Sequence, residues 1–481
     1  VRDAVRALSV SAVVVALAAC MVGPDYHRPD VDLPKAWAAE QPWRVGKPDD
    51  DARRGAWWRI FSDPRLDALE GDAVAHNATL AASVERLGQA RAVVTATSAA
   101  LFPQLNANLG AARDKTSKDR PLAAYATPNY SVVQNDLSAG LTVRYEADIF
   151  GGIRRQVEAA QASAQQAQAD LENARLVLTA EVASDYFSLR ELDAEIEVVR
   201  QNIGAQRKAL EFVRSRHDNG VASGLDLAQQ QSELDTTITQ IDLLQVQRAQ
   251  YEHALATLVG VPAPVFSVAP QVVELKVPQI PIGVPSDVLE RRPDVASAER
   301  AMAAANAQIG VAKAAYFPSV PLVGSYGVES NRISDLFSAA SNLWSFGISA
   351  TQTLFDAGRL QANTEFARSG YRAAVANYRQ SVLTAMQEAE DGMTGYANLA
   401  RAASEAGSAV KSAQRVYDLA NDRYAGGLAN YLDVITAQQA LLANQRQQVQ
   451  IVGQQMLVSI FLVKALGGGW SDAAVTPVAS R

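Results

Sequence analysis

The sequence holds 481 residues, 48% of them hydrophobic and 20% charged, with a formal charge of −7 at neutral pH; a weakly acidic chain makes a poor nucleic-acid binder. Its single cysteine excludes internal disulfides, a CxxC redox motif and a cysteine-based zinc cluster within one chain. No P-loop spacing and no HExxH occur, and the histidines His27, His76, His217 and His253 are scattered, so no constellation supports catalysis or a cofactor.

Arg2 and Arg6 followed by the apolar run Leu8 to Leu17 read as a secretory signal over residues 1–19, with Val1 as an alternative start codon. The run is too short to cross about 30 Å of hydrocarbon as a helix. Leu17-Ala18-Ala19-Cys20 resembles a bacterial lipobox and predicts a mature chain that begins at an acylated Cys20. Acyl chains contribute about 0.8 kcal/mol per buried CH₂, so several give stable anchoring. Residues 20–65, with Pro24, Pro29, Pro34 and Pro42 among isolated aromatics Trp37 and Trp43, predict an extended segment lying on a surface.

Trp57-Trp58 leads into Ser62-Asp63-Pro64, a helix-start signal, and a helix of about 30 residues is expected from Leu66 or Gly71 to about Ala100. At Leu101-Phe102-Pro103 the period changes to two. Apolar and polar residues alternate from Leu105 to Ala111 and again from Leu137 to Ile149, with Arg144, Glu146 and Asp148 on the polar face. Joined by the polar loop Arg113 to Asp136, the two runs predict a hairpin. Strands of about 10 residues suit both a soluble sheet covered on one face and a tilted crossing of an outer-membrane-type bilayer. The lipid signal and the lack of a spanning helix favour the membrane.

Gly151-Gly152 breaks the strand, and a Pro-free, Ala- and Gln-rich helix is expected from Arg154 to about His217. Ala160, Ala164, Ala167, Leu171, Ala174 and Leu178 recur at steps of three and four, the coiled-coil period. At 1.5 Å per residue, some 65 residues span on the order of 95 Å. A turn at Asn219-Gly220-Val221-Ala222-Ser223-Gly224 leads into a return helix from Leu225 to Leu258, and residues 261–286 form a Pro-rich connector before a new helix near Ser286-Asp287.

The chain then repeats itself. Tyr316-Phe317-Pro318 echoes Leu101-Phe102-Pro103, a second long helix runs from Leu360 to about Tyr424, and Gly427 to Asp433 echoes Gly220 to Asp226. The reading is a first repeat over 66–260, the connector over 261–286, a second repeat over 287–467 and a tail over 468–481. Each repeat holds a helix, a β-hairpin, a long helix and a return helix. Two shorter helices stacked end to end match each long one, which gives a strand end and a helix-turn end. Two hairpins supply too few strands for a closed barrel, and open edges are not tolerated in hydrocarbon, so the chain is expected to oligomerise. A dimer would bring about eight strands and a trimer about twelve. Strand counting leaves both open, and the polar face favours the wetter trimer.

The lipobox, Gly23-Pro24-Asp25-Tyr26-His27-Arg28-Pro29, Trp57-Trp58 to Asp63-Pro64, Leu289-Glu290-Arg291-Arg292-Pro293-Asp294, Tyr316-Phe317-Pro318 and both hairpin turns together resemble the outer-membrane efflux channels related to TolC, in the lipoprotein branch that includes OprM. The resemblance covers essentially the whole chain. It implies a mainly α fold with a pair of transmembrane β-hairpins, in a homotrimer whose twelve-stranded β-barrel continues into a long α-helical barrel, built by internal duplication. It implies a lipid-anchored protein of the bacterial outer membrane extending into the periplasm. There it would passively conduct small toxic molecules or drugs, with a periplasmic adaptor (membrane fusion) protein and an inner-membrane RND-type transporter as partners and no cofactor. The alternatives are a type I protein-secretion duct and, from another class, a periplasmic coiled-coil adaptor or structural lipoprotein. By the same resemblance the periplasmic gate lies at the helix-turn end: Asp433 matches a constricting aspartate, and Tyr424 and Asp226 match residues that tie neighbouring coils together when closed. Thr436 stands where a second gate acid is expected and Ala429 where an arginine is expected.

Overall fold

The computed structural model of the chain describes residues 21–28, 55–119, 131, 133–280 and 292–468. The signal segment, Cys20, Trp37, Trp43, the expected helix start at Ser286-Asp287 and the tail beyond Gly468 lie outside the described residues. In chain order the elements are α1 (Pro64–His76), α2 (Ala78–Ser98), β1 (Gln104–Lys115), β2 (Val133–Glu146), α3 (Gly152–Asp218), α4 (Gly224–Leu258), α5 (Pro293–Ala314), β3 (Pro321–Ser330), β4 (Asn342–Ile348), α6 (Arg359–Ala425) and α7 (Tyr431–Ala465). The duplication shows in the lengths: α3 and α6 hold 67 residues each, and α4 and α7 hold 35 each. Among the described residues no helix is long and apolar enough to cross a membrane. The chain divides into two compact units, Val1–Asp30 with Arg86–Gln168 and Ser297–Tyr378, and Val31–Glu85 with Ala169–Ala296 and Arg379–Arg481.

The first unit holds the sheet. Its four strands are antiparallel in the order β1-β2-β3-β4, so both hairpins share one sheet and β1 and β4 are its edges. Leu141 lies opposite Ala107 and Tyr326, and Tyr326 opposite Trp344. Because side chains alternate across a strand, this register gathers Leu105, Leu109, Leu141, Val143, Tyr326, Trp344, Phe346 and Ile348 on one face. All of these are exposed, Leu109 to 88% and Trp344 to 77%. The opposite face is polar, with Asn108 Nδ2 donating to Thr142 Oγ1 at 2.9 Å and the Ser325 and Ser345 hydroxyls 2.7 Å apart. The β2–β3 pair closes tightly at Gly327, where a Cβ would stand 2.6 Å from the Ala139 carbonyl oxygen.

Strand β2 ends at Glu146 rather than reaching Ile149, because Asp148 turns away to cap α3. Its carboxylate accepts from the N–H groups of Ile153 at 3.0 Å and Arg154 at 2.9 Å. Asp356 does the same for α6, accepting from the N–H of Leu360 at 2.9 Å. The segment 21–28 forms no helix or strand and is strapped onto this unit. Arg155, whose side chain is 1% exposed, donates to Asp25 at 2.8 Å, to Glu158 at 2.7 Å and to the Val22 carbonyl at 3.3 Å. Its stem crosses Gly310, where a Cβ would come within 2.7 Å of it. Tyr26 donates to Glu299 at 3.1 Å, and Arg28 Nε donates to the Tyr378 hydroxyl at 3.1 Å.

In the second unit the single helix expected before the hairpin is interrupted at Asn77. Its side-chain oxygen accepts from the N–H of Leu80 at 2.9 Å while its amide nitrogen donates to the Leu258 carbonyl at 3.0 Å, so one residue ends α1, caps α2 and receives the end of α4. Trp57, Trp58, Leu66 and Leu69 pack with Val182, Tyr186, Leu189, Leu255, Met456 and Ile460 in one core. Along α3 the buried positions continue as Leu189, Leu192, Ile196, Val199, Ile203, Gln206, Leu210 and Val213, steps of three and four that make a coiled-coil seam. The Pro-rich connector is pinned by buried charge. Asp193 accepts from Arg190 at 2.8 Å, Arg248 at 2.7 Å and the N–H of Gln271 at 3.0 Å.

Candidate functional site

The two helix turns are built by one motif used twice. At the first, Gly220 takes φ +73°, its N–H donates to the His217 carbonyl at 2.8 Å, and that of Val221 donates to Arg216 at 2.8 Å. At the second, Gly427 takes φ +72°, donates to Tyr424 at 3.0 Å, and Leu428 donates to Arg423 at 2.8 Å. This is the glycine-dependent end of an α-helix, in which a left-handed residue lets the chain satisfy the last carbonyls while reversing. Each return helix then starts on a side-chain cap. Ser223 Oγ accepts from the N–H of Asp226 at 3.2 Å, and Asn430 Oδ1 from that of Asp433 at 3.0 Å. Asp226 and Asp433 are therefore equivalent positions in the first turns of α4 and α7, where a carboxylate also favours the helix dipole.

Their surroundings differ. Asp226 is half-buried; one oxygen accepts from the Ser223 hydroxyl at 2.9 Å and the other from the Tyr424 hydroxyl at 3.3 Å, so the structure brings two of the expected gate residues together. Asp433 is exposed and takes no part in that bond, and Thr436 at the next turn is exposed as well. Tyr424 is 6% exposed, with its ring centroid 4.8 Å from that of Tyr431 in a small core with Val213, Val434 and Ile435. Burial pushes the Tyr424 hydroxyl pKa up, the Asp226 charge adds to this, and the Arg216 charge opposes it. Tyr424 therefore remains a hydrogen-bond donor at neutral pH.

Arg216 is the residue that reading the sequence missed. Its guanidinium carbon lies 5.1 Å from the centre of the Tyr424 ring, and Nη1 donates to the Ala425 carbonyl at 3.3 Å, so a cation from the first turn grips the second. Ala429 stands where an arginine is expected, and the arginine that reaches the second turn is Arg216, from the last turn of α3; a basic residue just before Gly220 was the available signal. Cys20 lies outside the described residues, and among the described ones no group of three or more His, Cys, Asp or Glu side chains could hold a metal ion. Chemically, the arrangement is a donor, an acceptor and a cation that hold two helical hairpins together and can let go without breaking a covalent bond.

Comparison with known proteins agrees with this architecture. The family described as outer membrane efflux protein matches twice, over residues 69–261 and 284–468. A pyoverdine export outer membrane protein, OpmQ of Pseudomonas aeruginosa, is 32% identical over 95% of this chain and 96% of its own. The cation efflux system protein CusC of Escherichia coli is 28% identical over 96% and 98%. Among solved structures, the outer-membrane channel OprN superposes with a TM-score of 0.85 at 30% identity, covering 94% of this chain and all of that one. A CusC structure gives 0.83 at 27% identity, covering 94% and 100%. The chain belongs to the outer membrane efflux protein family.

Proposed function

We propose that the chain is the exit duct of a tripartite efflux pump, working as a homotrimer. An adaptor in the periplasm would couple it to an RND-type transporter of the inner membrane. The observation that carries this reading is the sheet: its apolar face is exposed and, among the described residues, its edge strands β1 and β4 each have one unpaired side. The apolar face suits hydrocarbon, whereas the open edges are tolerable there only when further copies supply the missing ladders. Three copies would bring about twelve strands, enough for a water-filled interior lined by Asn108, Thr142, Arg144 and Ser325. Acylation at Cys20 would add a second hold on the outer membrane. Tyr424 and Asp226 would tie the hairpins in the closed state, and Asp433 would line the constriction.

The cargo is a small molecule driven by the transporter, so the duct itself catalyses nothing. Relatives named for pyoverdine, toluene and cations span unlike chemistries, which supports a wide passage without a selective pocket. The test is to delete the gene and challenge the strain with solvents, metal cations, chelators and antibiotics, while cross-linking the purified protein in detergent. Sensitivity of the deletion strain that the intact gene reverses, together with a three-subunit ladder, is expected. A monodisperse single subunit whose strand edges are all paired internally would overturn the reading.

A further inference from the structure

The coiled-coil seam behind the turns carries polar residues where leucine would stabilise it most. On α3 the seam runs Ile203, Gln206, Leu210, and on α4 it runs Gln230, Leu234, Thr237; Gln206, Gln230 and Thr237 are fully buried. They form a directed chain of hydrogen bonds. The Tyr431 hydroxyl of α7 donates to Gln230 Oε1 at 2.7 Å, Gln230 Nε2 donates to the Gln206 carbonyl at 3.2 Å, and Gln206 Nε2 donates to Thr237 Oγ1 at 3.0 Å. One phenol thus ties α7 to the side chain of α4 and, through a single amide, to the backbone of α3.

We propose that Tyr431, Gln230 and Gln206 form a buried second latch that holds the helix-turn end closed behind the Tyr424–Asp226 pair. This rests on the reading of the turn end as the gate and adds positioning residues to it. The outer bond is long at 3.3 Å, and it ends on the half-buried Asp226 carboxylate, whose other oxygen accepts from the Ser223 hydroxyl. Water competes for that acceptor, so the bond contributes little. The Tyr431 bond is shorter and buried, with no water to replace it, so breaking it leaves a buried acceptor unmet. Polar groups in a coiled-coil seam set register at a cost in stability, the property a joint needs when it must hold one alignment and still yield. Among the described residues the Gln206 side-chain Oε1 is itself buried without a partner, so the seam as built is not at its most stable.

The experiment uses the full-length protein in its native oligomer, reconstituted in planar bilayers, and reads the open-to-closed ratio with the unfolding temperature as control. Tyr431→Phe is expected to raise that ratio about tenfold, the consequence of one unmet buried acceptor. Gln230→Met, which removes the acceptor at similar volume, is expected to match it, and Tyr424→Phe to raise it no more than about threefold. If Tyr431→Phe and Gln230→Met lower the unfolding temperature but leave the ratio at the wild-type value while Tyr424→Phe opens the channel, the second latch is overturned and the gate stands. If none of the three variants, nor Asp226→Asn, alters conductance, the gate reading falls and the latch with it.

Discussion

Glu70 offers the sharpest test of the energetics. It sits on α1 among Leu66, Leu69 and Ala73, its side chain is fully buried, and among the described residues neither carboxylate oxygen has a hydrogen-bond partner. Burial, with the Asp67 charge adding, pushes its pKa up to about 9. A carboxyl that holds its proton more tightly in the fold than in the unfolded chain favours folding fully only below about pH 4.5; as pH rises from there the unfolded state gains by ionising, until the folded carboxyl also ionises near pH 9. At about 1.4 kcal/mol per pH unit, the penalty is on the order of 3 kcal/mol per subunit at pH 7 and roughly twice that at pH 9. Glu70→Gln removes the titration. Thermal unfolding of the helical signal in detergent, measured at about pH 5, 7 and 8.5, is expected to show the wild type losing stability with pH faster than the variant, the two curves diverging steadily. Parallel curves would refute a buried, unpaired carboxyl at this position.

Three further outcomes are open to direct measurement. Asp433→Asn is expected to weaken cation selectivity and cation block in planar bilayers, because converging carboxylates at a symmetry axis favour cations; unchanged block would remove Asp433 from the constriction. Arg155→Met is expected to cost about 3 kcal/mol and to expose residues 21–28 to protease, since Glu158 and two backbone carbonyls lose their buried donor. Asp25→Asn, at a carboxylate 78% exposed, is expected to release the strap far less. Gly260→Ala is expected to cost about 2 kcal/mol in unfolding experiments, because φ there is +74° and a Cβ would meet the His76 carbonyl oxygen at 2.5 Å.

Long periodic segments were legible because many residues report the same fact. Every third or fourth residue of α3 votes for one seam, so the expected bounds of Arg154 to about His217 lie close to the observed Gly152–Asp218. Single residues that override their neighbours were not legible. Asn77 breaks an otherwise continuous Ala-rich helix because it has a partner at Leu258, far along the chain, and nothing local announces that bond. Asp148 continues the alternation of β2 by residue type, yet its carboxylate is recruited by α3, so the strand stops early. The order β1-β2-β3-β4 needed the pairing of two hairpins separated in the chain by α3, α4 and α5, which periodicity cannot see.

The turn end shows how a duplicated chain can build a joint between unlike halves. Both turns keep the glycine, the cap and the acid, because those satisfy backbone groups that each reversal leaves open. The groups that cross between hairpins could not stay duplicated, since two donors or two acceptors facing one another make no bond. The second repeat supplies the donors Tyr424 and Tyr431, and the first supplies their acceptors Asp226 and Gln230. The first repeat has His217 and Gly224 where the second has these tyrosines, counting from Gly220 and Gly427. Divergence at these few positions, on a scaffold held fixed by its backbone requirements, gives two equivalent hairpins unlike and complementary side chains.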